Sequence, residues 1–252
     1  MKILVCCKVV IDEELIQTKG NELVLDNIPT KISQYDLNAL EAGKQLKKSE
    51  KAHITVVSAG RSAVLNESKI RKDILSRGVD DLIVINNDEA SFDNSLEVSK
   101  ILKEAISNID DYDLILTGTG SSDLYTQSTG IQLGTLLDLP TLNNVTNIEI
   151  KEGKVVADRT LEDSVEVFEL SMPCVLSLSS EINTPSIPAM RDIMQAGRKP
   201  VEEVAQDLKV NKYIEVLSEV APEQAERQQL IFEEADDDAI ESVVKYIRAE
   251  AL

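Results

Sequence analysis

Between Gly118 and Gly130 the chain gathers three glycines, six serine or threonine hydroxyls and one carboxylate. The run is Gly118, Thr119, Gly120, Ser121, Ser122, Asp123, Leu124, Tyr125, Thr126, Gln127, Ser128, Thr129, Gly130. The chemistry it offers is anion binding. Small residues let the backbone approach a ligand, and hydroxyls and the free amides at a helix start can donate to phosphate oxygens. Asp123 is the odd member, because a carboxylate repels phosphate. It can cap the following helix or hold loop amides in place. A plain strand-to-helix turn is the other reading of the run. Neither the GxGxxG dinucleotide fingerprint nor a P-loop is present.

Other reactive residues are few. Lys8, just past the first expected strand, can balance phosphate charge or simply be solvated. Arg61 follows a strand end and is a better ligand candidate than Arg71 or Lys72, which read as helix-surface residues. His53 is the single histidine of the chain, so multi-histidine metal chemistry and a Ser/His/Asp set are excluded. Cys6, Cys7 and Cys174 make neither a disulfide framework nor a metal pattern. Cys6 and Cys7 read as core, with Cys6 also able to line a pocket at its strand end. Reduced thiols point to a cytoplasmic protein. The formal net charge of −19 and the aromatic content of 3% argue against nucleic acid as a partner. No apolar run approaches the roughly 20 residues of a membrane span. The start, Met1-Lys-Ile-Leu-Val-Cys-Cys, reads as a strand rather than a signal peptide.

The elements that must position these groups alternate. Strands are expected at 2–7, 54–58, 82–85 and 114–116. Helices are expected at 35–48, 63–76, from a cap at Asp93 to 109, and at 124–137. Four rounds of alternation give an α/β fold with a parallel sheet and helices on both faces. Ligands of such sheets bind at the carboxyl ends of strands, where the strand order reverses. The Gly118–Gly130 loop is one such end; Cys7-Lys8, Ser58-Ala59-Gly60 and Asn86-Asn87 are the others. After Pro140, residues 147–150, 154–158 and 165–169 read as a small antiparallel addition with turns at Glu152-Gly153 and Glu162-Asp163. Cys174–Leu178 can rejoin the main sheet.

Residues 182–200 form a proline-rich connection with one short helix at most. It carries Ile187, Met190, Ile193 and Met194, and either folds back on the core or serves as a docking element. Beyond Pro200 the chain turns polar, acidic and helix-prone. Residues 201–252 hold 14 acidic and 5 basic residues. They read as an extended acidic arm ending in an amphipathic helix from about 236, with Ile240, Val243, Val244, Ile247 and Ala251 on one stripe. The expected organisation is a domain over 1–200, including the 182–200 loop, and an arm over 201–252.

Spacing of the Gly118 loop loosely resembles the nucleotide loop of universal-stress-type domains. A closer resemblance covers nearly the whole chain. The opening Lys2-Ile-Leu-Val-Cys-Cys-Lys8-Val-Val-Ile-Asp12 is similar to that of electron-transfer flavoprotein β subunits. So are Ser33-Gln-Tyr-Asp36-Leu-Asn38-Ala-Leu-Glu41-Ala and the stretch from Ser180-Glu-Ile-Asn183-Thr-Pro185 through Met190-Arg-Asp-Ile-Met194-Gln-Ala-Gly-Arg-Lys199-Pro. The resemblance implies an α/β, Rossmann-like adenine-nucleotide domain in a heterodimer with an α subunit. Carried over, the nucleotide pocket comprises Cys6, Ser33, Gln34, Tyr35, Asp36, Ala59 and Gly118 to Thr129, with the amides of Ser122 to Thr129 on the phosphate. Ile187, Met190, Ile193 and Met194 belong to the loop that docks on a partner dehydrogenase.

The respiratory form of the loop is Gly-Lys-Gln-Ala-Ile-Asp, where this chain has Gly118-Thr-Gly-Ser-Ser-Asp123. The Gly-Ser-Ser-Asp-Leu-Tyr form is similar to the FixA-like branch, as are Lys31-Ile-Ser-Gln-Tyr-Asp-Leu-Asn and Arg71-Lys-Asp-Ile-Leu-Ser-Arg77-Gly. That branch implies FAD rather than AMP in this subunit. It also implies NADH as donor, with an acyl-CoA or other dehydrogenase and ferredoxin or flavodoxin as partners in electron bifurcation. The alternatives are a non-bifurcating carrier with structural AMP and a stand-alone nucleotide-binding regulatory domain.

Overall fold

A computed structural model describes residues 1–205, 216–222, 231–232 and 237–250. Two units divide the chain: Met1–Gln17 with Val24–Ser218, and Thr18–Leu23 with Glu219–Leu252.

The chain opens with β1 (Lys2–Cys6), β2 (Val9–Ile11), β3 (Gln17–Lys19), β4 (Glu22–Val24) and β5 (Thr30–Ile32). β2 pairs with β5 and β3 with β4 in two short ribbons. Then follow α1 (Gln34–Glu50), β6 (His53–Gly60), α2 (Ser62–Leu65), α3 (Ser68–Leu75), β7 (Asp81–Asn86) and α4 (Ser95–Ser107). β8 (Leu114–Gly118) leads to α5 (Thr129–Leu137), and β9 (Thr141–Lys151), β10 (Lys154–Thr160), β11 (Val165–Ser171) and β12 (Cys174–Leu178) complete the middle of the chain. α6 (Met190–Ala196) and β13 (Val201–Ala205) follow.

The main sheet has the order β11-β10-β9-β12-β8-β1-β6-β7-β13. Neighbours from β9 through β13 pair in parallel, and β9-β10-β11 form the antiparallel addition. This is the expected α/β architecture. Alternation along each strand sends side chains to two covered faces, which is why the strands read as continuous apolar runs. Ile3, Val5, Ile54, Leu114 and Leu116 pack into one core cluster with Leu40 of α1. Leu4, Cys6, Val57, Ile115 and Val175 pack into the other with Ile101 of α4 and Leu133 of α5. Each fully buried Leu or Ile contributes about 1.5–3 kcal/mol relative to exposure.

Several expected boundaries move, each for a local reason. The helix expected over 124–137 starts at Thr129, because Tyr125 (φ 47°) and Gln127 (φ 55°) are left-handed and cannot enter a right-handed helix. The helix expected over 63–76 is two, α2 and α3, separated where Glu67 is extended. Asn94, not Asp93, caps α4: its side chain accepts from the amides of Leu96 and Glu97. Residues 201–205 are not helical but form the edge strand β13 on β7, in the register Val201↔Leu82. The turn at Glu152-Gly153 has positive φ at both residues, 49° and 76°, the tight hairpin geometry. Cys174–Leu178 does join the main sheet, between β9 and β8.

In the second unit, α7 (Asp237–Glu250) is the expected terminal helix. Of its stripe, Ile240, Val243, Val244 and Ile247 are exposed, while Ala239 is buried. Ala251 and the arm's residues 206–215, 223–230 and 233–236 lie outside the described residues. No helix of the described residues is long and apolar enough to cross a membrane.

Candidate functional site

The chain leaves β1 toward β6 and β7 on one side of the sheet, while β8 and β12 lie on the other. Strand order therefore reverses between β1 and β8, where a crevice is expected. Their pairing runs from Ile3↔Leu114 to Val5↔Leu116 and stops. Beyond it, the first turn of α1 inserts a carboxylate. Asp36 Oδ2 accepts from the amide of Lys8 at 2.7 Å, and Oδ1 accepts from the amide of Gly118 at 3.0 Å. Asp36 thus ties both strand ends to the helix at the floor of a cleft enclosing about 720 Å³, part of it open to solvent.

Burial pushes the Asp36 carboxyl up to about 7, in spite of the two amide bonds and the Lys8 ammonium. The Asp123 charge adds to the rise. Burial likewise raises the Cys6 thiol to about 12, and the Cys7 thiol well above its ordinary value, so neither is a thiolate nucleophile. Lys8 Nζ is engaged by Asp123 Oδ2 at 2.6 Å. Burial works against the Asp123 charge, but hydrogen bonds from Lys8 and Ser121 outweigh it and hold that carboxyl below the ordinary range.

The cleft has two kinds of wall. One is apolar, built by Cys6, Val57, Ala59, Phe92, Val98 and Leu102, and suits a flat ring system. The other is polar without a free ammonium. It presents the hydroxyls of Thr117, Thr119, Ser121, Thr126 and Thr129 beside the start of α5. The first amides of α5 have no intrahelical acceptor, and the Ser128 side chain does not cap them.

Of the residues singled out from the sequence, Cys6, Asp36, Ala59, Gly118 and Thr119 line this cleft. So do Gly120, Ser121, Leu124, Thr126 and Thr129. Gln34, Tyr35, Ser122 and Tyr125 line a neighbouring recess with Glu13, Ser121 and Ser180. Its wall is the Tyr35–Tyr125 pair, with ring centroids 4.8 Å apart. Ser33 is buried, and its Oγ accepts from the Ser122 amide at 3.3 Å. Asp123, Gln127 and Ser128 line neither space. Asp123 does not cap α5; besides Lys8 it holds one loop amide, that of Leu124, at 2.9 Å. Among the amides of Ser122 to Thr129, those of Ser122, Leu124 and Tyr125 already donate within the loop or to Ser33. The glycines are required by the protein's own packing. A Cβ at Gly118 would lie 2.6 Å from Asp36 Oδ1, and one at Gly120 would lie 2.6 Å from Tyr125 Cδ2.

Cys7, Val57, Phe92, Asp93, Ser95, Val98, Leu102 and Thr117 also line the cleft and were not assigned from the sequence as ligand residues. Phe92 to Ser95 follow the end of β7, a position the strand-end rule singles out. Val98 and Leu102 sit one turn apart on α4 and read as core. Arg61 and His53 do not line it. His53 is exposed beside Asp81, its Nε2 2.6 Å from Oδ2, and Arg71 pairs with Glu203 at 2.7 Å. Among the described residues, no group of three or more His, Cys, Asp or Glu side chains is placed to hold a metal ion.

In the 180–196 segment the backbone is anchored, Ile182 and Ala196 pack on the core, and Ile187, Met190, Ile193 and Met194 between them are exposed. Asn38 Nδ2 donates to Asn183 O at 2.8 Å, Asn183 Nδ2 returns to Asn38 O at 3.0 Å, and Ser186 Oγ donates to Glu41 at 2.6 Å. Ile187 is 92% exposed and Met190 and Met194 are each 73% exposed, so the segment does not fold these side chains into the core.

The profile of the electron transfer flavoprotein domain matches residues 22–209. The chain belongs to the electron transfer flavoprotein family. That match covers α1, the cleft residues from Asp36 to Thr129 and the 180–196 segment, while Cys6, Cys7 and Lys8 of the cleft precede it. The class of chemistry is electron transfer by a flavoprotein, and in such proteins the cofactor carries the redox step while the polypeptide binds and orients it.

Proposed function

We propose that this chain is the β subunit of a heterodimeric electron-transfer flavoprotein of the FixA-like branch, and that its cleft holds FAD. The observation that carries this reading is the pairing of two walls at the β1/β8 crevice. An apolar wall fits an adenine ring, and a wall of hydroxyls and helix-start amides fits phosphate. The donor set suits a dinucleotide's pyrophosphate, in which each phosphate carries a single charge. Lys8, the ammonium that lines the cleft, is already neutralised by Asp123, and Asp93 adds negative charge, joined by Asp36 above about pH 7. A phosphomonoester dianion concentrates two charges on one phosphate and is the poorer match.

When bound, the flavin would supply hydride acceptance from NADH and single-electron transfer. The chain's own residues bind and orient it. Asp36 holds the cleft floor, Cys6, Ala59 and Val98 enclose the base, and the Gly118–Thr129 loop closes over the phosphates. Tyr35 and Tyr125 wall the adjoining recess. Ile187, Met190, Ile193 and Met194 form the docking face for an acyl-CoA or other dehydrogenase. Ferredoxin or flavodoxin takes the low-potential electron, and the acidic arm covers the α subunit. Counting flavins in the purified heterodimer tests the reading. Two FAD per heterodimer supports it; one FAD with one AMP refutes bifurcation and leaves a non-bifurcating carrier.

A further inference from the structure

Three buried hydroxyls around the cleft donate to backbone carbonyls, and a fourth, on its wall, does not. Ser58 Oγ donates to Cys7 O at 2.7 Å, Ser99 Oγ to Ser95 O at 2.7 Å, and Ser177 Oγ to Gly118 O at 3.2 Å. Thr117 is 4% exposed, lines the cleft, and its Oγ1 has no partner. A buried hydroxyl without a partner is unfavourable, so a persistent orphan points to a group that arrives from outside the chain.

Its position says which group. Along β8, Thr117 falls on the same face as Ile115, which packs with Leu102 of α4 and Leu133 of α5. The first turn of α5 lies directly against it: a Cβ at Gly130 would sit 2.5 Å from Thr117 Oγ1. The hydroxyl therefore borders the helix start, where the amides of Thr129, Gly130 and Ile131 have no intrahelical acceptor and the helix dipole favours negative charge. A ligand atom there must be an acceptor and gains from being anionic. Lys8 offers no spare charge, being paired with Asp123, so neutral donors must hold the anion.

We propose that Thr117 is a ligand-binding residue whose hydroxyl donates a hydrogen bond to a phosphate oxygen seated at the start of α5. This deepens the nucleotide reading and rests on it. Thr117 lies on the β-strand before the loop, outside the Gly118–Thr129 stretch singled out from the sequence. The Val isostere separates ligand binding from packing. In the apo protein it replaces an orphan hydroxyl with a methyl group, so it should not lower thermal stability. In the complex it removes one charge-assisted donor.

The experiment measures AMP and adenosine binding by calorimetry to the nucleotide-free full-length chain and to its Thr117→Val and Thr117→Ser variants. Thr117→Val should weaken AMP about ten- to hundredfold and leave adenosine within about twofold, with the apo melting temperature unchanged or raised. Thr117→Ser should restore AMP affinity. Unchanged AMP affinity in Thr117→Val, equal loss for AMP and adenosine, or a Thr117→Val chain that melts lower or fails to fold would each overturn the assignment. If the wild type binds neither compound and no FAD, the nucleotide reading fails. Pyrophosphate alone then decides the site: thermal protection lost in Thr117→Val supports it, and protection equal in both chains, or none in either, overturns it.

Discussion

Replacing Asp36 by Asn keeps the shape of the side chain and removes its titration. The folded carboxyl titrates at about 7 against an ordinary value of 3.8. At about 1.36 kcal/mol per unit, the difference of about three units corresponds to on the order of 4 kcal/mol. The sign follows from proton counting. Between pH 4 and 7 the unfolded chain has lost this proton and the folded chain retains it. Stability therefore falls as pH rises through that window and levels off above the folded value. From pH 5 to pH 8 the site alone should lower the wild-type unfolding free energy by roughly 2–3 kcal/mol. The Asp36→Asn chain has no such slope. Urea unfolding of both chains at pH 5, 6, 7 and 8 gives the difference curve, in which other titrating groups cancel. The Asn Nδ2 cannot accept, so one of the Lys8 and Gly118 amides loses its partner and the variant carries a pH-independent deficit of about 1–3 kcal/mol. At pH 8 the deficit of the Asn variant should be smaller than at pH 5 by roughly 2–3 kcal/mol, because only the wild type loses stability over that range. Lys8 and Asp123 face Asp36 in the wild type and are unchanged by the substitution. A difference curve flat within about 0.5 kcal/mol from pH 5 to 8 would refute the burial argument, because it would mean that the amides and Lys8 outweigh desolvation.

Three further outcomes are expected. Gly134→Ala in α5 would place a Cβ 1.9 Å from Thr141 Oγ1 of β9, and should destabilise the chain by about 1–3 kcal/mol in a denaturant titration. Lys8→Gln and Asp123→Asn should not be additive: both side chains are about three-quarters buried, and a double-mutant cycle should return a coupling of about 0.5–3 kcal/mol that weakens little in high salt. Met190→Asp, at a position 73% exposed, should change stability by less than about 0.5 kcal/mol; on the proposed docking role it should also slow electron exchange with a dehydrogenase at least severalfold, and unchanged kinetics would refute that role for Met190.

The alternation of strands and helices, the α/β class and the place of the crevice were legible in the residues alone. Continuous apolar strands such as Lys2–Cys6 and Leu114–Gly118 can be satisfied only between two covering layers, and small hydroxyl-rich loops at strand ends follow from the same geometry. The Gly118–Gly130 run was recognisable as a donor-rich loop for that reason. Where its helix begins was not, because Tyr125 and Gln127 take left-handed φ, and for Tyr125 the ring packs against Tyr35 and beside Gly120. Likewise β13 at Val201–Ala205 reads as polar and helix-prone, and becomes a strand because the open edge of β7 supplies its hydrogen-bond partners.

What the sequence determined by itself was the local chemistry: a glycine- and hydroxyl-rich loop at a strand end and thiols with no framework. What only the tertiary structure decided was which groups meet. Asp36 lies 82 residues from Gly118 along the chain and 28 from Lys8, yet its two oxygens hold both amides. Lys8 is paired with Asp123, 115 residues away. Thr117 becomes conspicuous only once the hydroxyls of Ser58, Ser99 and Ser177 are seen to have acceptors. Local sequence sets backbone preference and face, whereas charge pairing and hydrogen-bond satisfaction are sums over neighbours that only the folded chain brings together.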